Sequence, residues 1–186
     1  MTDIRSLALE LLHQHINNPK MIAHCLASEA IMKTLAHHFD ENDNEWGLCG
    51  LLHDIDVELT NAVAEIHGQE SRKLLTSLNI PEDVIEAIEM HNEMSAPATR
   101  NKRIHHALAA AETIAGLIFA TAMVYPDKKI SSVKPKSVVK RMKEKQFAAS
   151  IKRENILECE IIGIALPDFA EMAINALSPI ENELGF

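Results

Sequence analysis

Apolar residues recur three or four positions apart through most of this 186-residue sequence, and this spacing limits the fold more than any other feature. Leu7, Leu11 and Leu12 share one helical face near the start, and Ile31 and Leu35 share another. Such spacing predicts amphipathic helices rather than strands. Six glycines and seven prolines leave few turn residues for a fold of many short strands. The pattern therefore predicts an all-α protein.

Polar and proline-containing stretches divide this pattern into successive helices. The predicted helices cover about residues 4–16, 20–39, 46–53, 67–78, 84–91, 105–124 and 166–177. No repeat, low-complexity segment or linker separates them, so we expect a single domain over residues 1–186. Within it we expect a core at about 20–125 and a C-terminal helical extension at about 126–186.

Charge and cysteine usage argue against several classes of protein. A net charge of −9 makes a nucleic-acid-binding surface over the whole molecule unexpected. Cys25, Cys49 and Cys159 have no paired spacing, so we interpret them as reduced thiols in a cytoplasmic protein. There is no run of about 18 apolar residues and no basic start followed by an apolar stretch, so we expect neither a membrane span nor a signal peptide. The sequence leaves homo-oligomer formation open.

Several ionisable residues fall in phase with apolar residues that would face the core. They are His24, His53, His67, His91 and Glu112. Burying such a group is costly unless it is paired or binds a metal. One buried histidine is more often a hydrogen-bonded core residue, but five such residues on successive helices favour a metal site. His105 lies on the same predicted face as Glu112, and it is a weaker candidate.

The stretch from Leu51 to Asp56 carries the sharpest motif, because an apolar run there ends in the adjacent pair His53 and Asp54. This pair offers an imidazole nitrogen and a carboxylate that can bridge two ions. Mixed nitrogen and oxygen ligands suit manganese, iron, cobalt, nickel or zinc better than calcium. We therefore expect one or two divalent transition metals per chain.

The order of these residues resembles the HD-domain superfamily of metal-dependent phosphohydrolases, and its HDIG-type branch most closely. The stretches 51–56, 67–71 and 88–92 resemble successive motifs of that branch. The resemblance implies an HD-domain helical bundle with a C-terminal helical extension. Asp56 stands where many members of the branch have glycine. Glu112, in Ala-Ala-Glu, stands where the family normally has aspartate.

Carried over position by position, the resemblance implies a two-metal site. His24, His53, Asp54 and Glu112 would hold one metal, and His67 and His91 would build a second site with Asp54 as the bridge. A metal-activated water would then attack a nucleotide or another small phosphoester, with Asp54, His53 and His67 as the catalytic residues. Asp56 or Glu58 would orient water or a ligating histidine, although either could be a solvated acid at a helix end.

A basic segment over residues 128–153 holds ten of the eighteen Lys and Arg residues and one acid, so it carries a charge of +9 against −18 for the remainder. It is either a flap that neutralises anionic groups or a solvated helical face that balances an acidic body. Lys145 and Arg153 stand in a pattern that resembles the HDIG-like subgroup, and we expect them to face substrate. Arg100 and Arg103 are further candidates. Phe147 is the only aromatic residue here, which argues against base stacking.

Two other functions stay open at this level. The chain could be a metal- or ligand-binding HD module without catalysis, for which the Glu112 departure is the main argument. It could also be an oxygen-using di-iron enzyme, which some HD-type scaffolds resemble.

Overall fold

The computed structural model describes residues 3–76 and 78–186, and the regular elements in that part of the chain are all helical. The α-helices are α1 (Ile4–His15), α2 (Pro19–Phe39), α3 (Asp43–Leu52), α4 (Ser71–Leu75), α5 (Glu82–Glu89), α6 (Arg103–Ala122), α7 (Pro135–Lys143), α8 (Arg153–Ile156), α9 (Glu158–Ile161) and α10 (Leu166–Leu177). Short 3-10 helices lie at Ile130–Ser132 and Ser178–Ile180. The all-α prediction is confirmed.

The helix starts follow ordinary capping chemistry. The Asn18 side chain accepts a hydrogen bond from the backbone N–H of Lys20, and Pro19 occupies the first position of α2. The Asn42 side chain accepts from the N–H groups of Asn44 and Glu45 at the start of α3. Both asparagines satisfy N–H groups that have no partner within the helix. The first three helices therefore begin and end within a residue or two of the predicted bounds, apart from the start of α3.

The prediction of a helix opening at His67 is wrong. Residues 53–70 form successive turns, and α4 covers only Ser71–Leu75. Gly68 has φ +100, a left-handed conformation that a continuing helix does not allow. The buried Asp56 carboxylate accepts the N–H groups of Gly68 and Glu70, so these donors are satisfied without helical bonds.

The core forms where α2, α3 and α6 pack together, with α5 closing one side against α3 and α6. Leu35, Leu51, Ile88 and Leu108 are fully buried contributors from these four helices. The C-terminal extension shares this core, because α10 packs against α2 and buries Phe169 completely. The last α-helix thus packs against the N-terminal part of the bundle through α2.

Helix α6 is the one helix of the described residues that alone has the length and apolar composition to cross a membrane. The pair Arg153–Ile161 and Leu166–Ile180 passes that test only when its 105° bend is ignored. Of the apolar window in α6, 72% is buried inside the protein. Its apolar residues are thus accounted for as the central helix of the bundle.

Gly50 sets how closely α2 and α3 approach. A Cβ atom at Gly50 would lie 2.5 Å from the backbone oxygen of Ser28, whereas one at Gly47 would meet the flexible end of Lys33. We expect Gly50→Ala to lower the free energy of unfolding by about 1–3 kcal/mol, because the two helices must separate. Gly47→Ala is the matched control in the same helix and should be close to neutral. Urea unfolding followed by circular dichroism measures both, and equal stability of the two variants would contradict this account.

Candidate metal centre

Side chains from separate parts of the bundle converge on one buried point. His24 comes from the middle of α2, His53 caps the end of α3, and Glu112 comes from the middle of α6. The other three, Asp54, His67 and His91, lie on irregular chain that follows α3, precedes α4 and follows α5. The sequence predicted that the four clustered histidines lie on helices, but of these four only His24 lies inside one. The end of α3 and the turns supply the remaining imidazoles.

Asp54 lies between two pairs of histidines. Its Oδ2 is 3.3 Å from His53 Nε2 and 3.7 Å from His24 Nε2. Its Oδ1 is 2.9 Å from His67 Nε2 and 3.4 Å from His91 Nε2. Each carboxylate oxygen thus faces its own pair of imidazole nitrogens, which is the arrangement of a carboxylate that bridges two cations.

The possible ligands fall into two groups on either side of this carboxylate. One contains His24, His53 and Glu112, and the other contains Asp54, His67 and His91. Within each group the candidate ligand atoms all lie within 4.8 Å of one another. Glu112 Oε2 is 3.8 Å from His24 Nε2, so the longer glutamate side chain still reaches the first group.

Hydrogen bonds on the far side of the rings fix which nitrogen faces Asp54. His53 Nδ1 donates to the Gly50 carbonyl at 2.8 Å, and His91 Nδ1 donates to the Ile88 carbonyl at 2.6 Å. A carbonyl can only accept, so each Nδ1 carries a hydrogen and each Nε2 is directed at the carboxylate. An imidazole nitrogen this close to a carboxylate oxygen needs a proton or a metal ion between them. The donor set therefore fits divalent transition metals.

Asp56 orients the third imidazole. It is fully buried, and its Oδ1 accepts from His67 Nδ1 at 2.8 Å while the backbone N–H groups of Gly68 and Glu70 donate to the same carboxylate. Such a carboxylate behind a ligating histidine raises the basicity of the ring. Glu58 lies elsewhere, because its carboxylate accepts from Asn17 and Asn18 at the start of α2.

Burial and charge shift the titration of these groups in opposite directions. Burial lowers the pKa of His24 to about 4 and raises the pKa of Glu112 to about 7. Burial also lowers the pKa of His67, but its bonds to Asp54 and Asp56 outweigh burial and raise that pKa to about 10. Without a metal, a proton on His67 therefore neutralises part of the acidic cluster.

A cavity of about 310 Å³ opens over the cluster. Helix α6 lines it with Thr113, which directly follows Glu112, and with Gly116, one turn after Glu112. The chain after His91 contributes Asn92 and Glu93. The C-terminal extension contributes Ser150, Ile151, Lys152 and Asn155. The wall of the pocket is thus built partly by residues between 24 and 116 and partly by residues 150–155 of the C-terminal extension.

The four predicted substrate-binding residues do not line this cavity. The buried Arg100 guanidinium donates to Glu158 and to the carbonyls of Met90 and His91. Arg103 pairs with Glu41 and stacks over the ring of Phe39.

Arg153 donates to the backbone oxygens of Ala148 and Ile151 at 2.7 Å each, and also to that of Phe147. Lys145 is exposed and lies outside the lining residues. His105 is buried beside Glu86, 3.7 Å away, rather than at the pocket. The guanidinium groups of Arg100 and Arg153 are therefore committed to acceptors of the protein itself.

Sequence reasoning missed Lys152 and Asn92 as pocket residues. Lys152 was one of ten cations in the basic segment, and no spacing distinguished it from its neighbours. Asn92 directly follows His91, and its amide donates to the backbone oxygens of Ala64 and His67. Its position beside a predicted ligand was the one signal that could have identified it.

Comparison with known families identifies the class of protein. A family model described as the HD domain matches residues 21–123, which is more than half of the chain. The chain therefore belongs to the HD-domain family, whose members are usually metal-dependent hydrolases. No curated protein and no solved structure matched the chain.

Metal binding should release protons, because His67 must lose its proton to bind a cation. With a pKa of about 10, His67 is protonated in metal-free protein at pH 8, so we expect release of one proton or more per chain on Mn²⁺ addition. The apparent affinity should rise with pH up to about 10 and fall as the solution is acidified. Calorimetric titration at pH 8 in two buffers of different ionisation enthalpy measures the released protons.

Asp56→Asn provides the comparison for this measurement. It removes one of the two carboxylates that raise the pKa of His67, so fewer protons should be released at the same pH. Equal heats in both buffers for the unaltered chain would contradict the assignment of His67 as a ligand.

Proposed function

We propose that this chain is a metal-dependent phosphohydrolase that hydrolyses a nucleotide or another small phosphoester. The observation that carries the proposal is the placement of Asp54, whose two oxygens face two separate pairs of histidines at 2.9–3.7 Å. Paired sites bridged by a carboxylate are typical of enzymes that displace groups at phosphorus. We further propose that the chain belongs to the HDIG-type branch, a proposal that the motif at 51–56 supports.

The proposed ligands divide between the two oxygens of Asp54. His24, His53 and Glu112 would hold one cation on the Oδ2 side, and His67 and His91 would hold the second on the Oδ1 side. Manganese, iron, cobalt, nickel or zinc bound there would supply Lewis-acid activation of water and polarisation of a phosphoryl oxygen.

The protein's own residues set the orientation that this chemistry needs. The carbonyls of Gly50 and Ile88 hold the rings of His53 and His91, and Asp56 holds that of His67. We therefore propose Asp54, His53 and His67 as the catalytic residues. This lowers the free energy of the transition state, because groups that are already oriented need not reorganise as charge develops.

The size of the cavity supports a small substrate. At about 310 Å³ it stands at the lower end of the range for ligand pockets. Asn92, Thr113 and Asn155 offer hydrogen bonds, while Gly116 and Ile151 offer an apolar contact. The unpaired, buried thiols of the three cysteines fit a reducing compartment, and we place the reaction in the cytoplasm.

Loss of Asp54 should remove both metals together. For Asp54→Ala we expect metal content to fall from about two per chain to near zero and phosphoester hydrolysis to become undetectable. Asp56→Asn should retain metal with activity reduced about 10- to 100-fold. Elemental analysis of protein purified without chelator, followed by a phosphoester panel, measures both quantities. The exposed Asp168→Asn is the control for a lost carboxylate.

The same experiment separates the other functions. Two metals with no turnover on any phosphoester would favour the non-catalytic binding module. Iron alone, with redox-sensitive absorption and no activity with manganese, would favour the di-iron oxygenase. Absence of metal after adding manganese or iron would overturn the proposal.

Gly116 offers a test of the pocket that leaves the ligands unchanged. A Cβ atom at Gly116 would lie 3.4 Å from Ile151 Cδ1, so alanine fits and a larger side chain fills the cavity. We expect Gly116→Leu to lose most hydrolysis while keeping the metal content of the unaltered chain, and Gly116→Ala to lose little. Full activity in Gly116→Leu would show that substrate does not occupy this cavity.

A further inference from the structure

The charges that line the pocket are unequal. Apart from the histidines, the lining residues include three carboxylates, Asp54, Glu112 and Glu93, and a single cation, Lys152. The carboxylates of Asp54 and Glu112 belong to the proposed metal centre. Glu93 and Lys152 take no part in it, so their presence in the same pocket needs a separate explanation.

Lys152 and Glu93 form an ion pair between two walls of the pocket. The Lys152 ammonium donates to the Glu93 carboxylate, which joins the C-terminal segment to the chain two residues after His91. Glu93 has a second cation within reach, because its Oε2 lies 3.8 Å from Arg100 Nη1. The N–H groups of Arg100 donate to Glu158 and to the Met90 and His91 carbonyls, so Arg100 can offset the charge of Glu93 electrostatically, without a hydrogen bond, when Glu93 leaves Lys152.

The segment that carries Lys152 is fixed by its neighbour. The Arg153 guanidinium donates to the carbonyls of Ala148 and Ile151 and so holds the turns that lead to Lys152. Asn155, two residues after Arg153, is buried and lines the same cavity. This part of the pocket lies outside the HD-domain match at 21–123.

We propose that Lys152 binds the phosphate of the substrate and that Glu93 occupies Lys152 until substrate displaces it toward Arg100. This inference rests on the proposed hydrolase function and names its substrate class, a phosphomonoester. A lysine binds phosphate as a compact point charge with three donors. Among the described residues that line the pocket, Lys152 is the one Lys or Arg side chain, so the added charges of a diphosphate or triphosphate would meet Glu93 instead of a further basic side chain.

Variants with opposite effects test the proposal. In Lys152→Met, affinity for inorganic phosphate should fall about tenfold to a hundredfold, since a charge-assisted bond is lost. In Glu93→Gln, affinity should rise several-fold, since the competing carboxylate is gone. Lys143→Met, an exposed lysine of the same basic segment, is the matched control and should leave phosphate affinity unchanged. Calorimetry on Mn²⁺-loaded protein measures phosphate affinity, and elemental analysis verifies equal metal content.

Substrate choice gives the second measurement. The KM of the unaltered chain for a phosphomonoester should lie well below that for the matching diphosphate, and Lys152→Met should raise the monoester KM more than it lowers kcat. Unchanged phosphate affinity in Lys152→Met would overturn the proposal, as would a fall in affinity in Glu93→Gln or no phosphate binding by the unaltered chain. A loss of affinity in Lys145→Met instead would restore that residue as the phosphate ligand.

The two proposals fail in different ways. If no phosphoester is hydrolysed but phosphate affinity still falls in Lys152→Met and rises in Glu93→Gln, the hydrolase proposal fails and the anion site stands. If phosphoesters are hydrolysed and Lys152→Met matches Lys143→Met in both phosphate affinity and KM, the anion site fails and the hydrolase proposal stands.

Discussion

The structure depends on a buried carboxylate that faces four imidazoles. Asp54 cannot be removed from water without compensation, and its compensation comes from rings on α2, at the end of α3, before α4 and after α5. Those elements must meet at one point for the charge to be satisfied. Packing of α2 against α3 and of α5 against α3 and α6 is therefore also the condition for assembling the candidate metal centre. Stability and function share the same contacts here.

Backbone geometry connects the core to the site. Gly50 lets α3 approach the backbone of α2 at Ser28, and its carbonyl then holds the His53 ring. A side chain at this position would displace the helix and the ring together. Gly68 plays a comparable part, since it adopts a positive φ directly after His67 and donates its N–H to Asp56. The backbone at these two glycines therefore contributes to the orientation of the His53 and His67 rings.

The sequence predicted the helices and the side chains that cluster around Asp54 better than the surroundings of that cluster. Apolar spacing located α2 and α6 because both are buried along most of their length. The same reasoning placed His67 on a helix, since periodicity cannot register that Asp56 replaces helical hydrogen bonds. Arg100 and Arg153 were predicted to bind substrate, because a sequence shows a cation but not the acceptors that it binds within the protein. These acceptors are Glu158 and backbone carbonyls. Lys152 could not be identified from the sequence, because only its tertiary contacts distinguish it from the other cations of the basic segment.

The distribution of charge follows from how these cations are used. The basic segment carries +9, yet only one of its cations lines the pocket, while Arg153 and Arg141 bind groups within the segment. Most of the positive charge of this segment therefore lies outside the residues that line the pocket. The cation that the extension adds at the pocket is Lys152, which pairs with Glu93 beside Arg100. The proposed metal centre is built by residues 24–112, whereas the proposed anion site at Lys152 lies in a segment beyond the matched domain, so under these proposals substrate choice could vary with that segment while the ligands stay fixed.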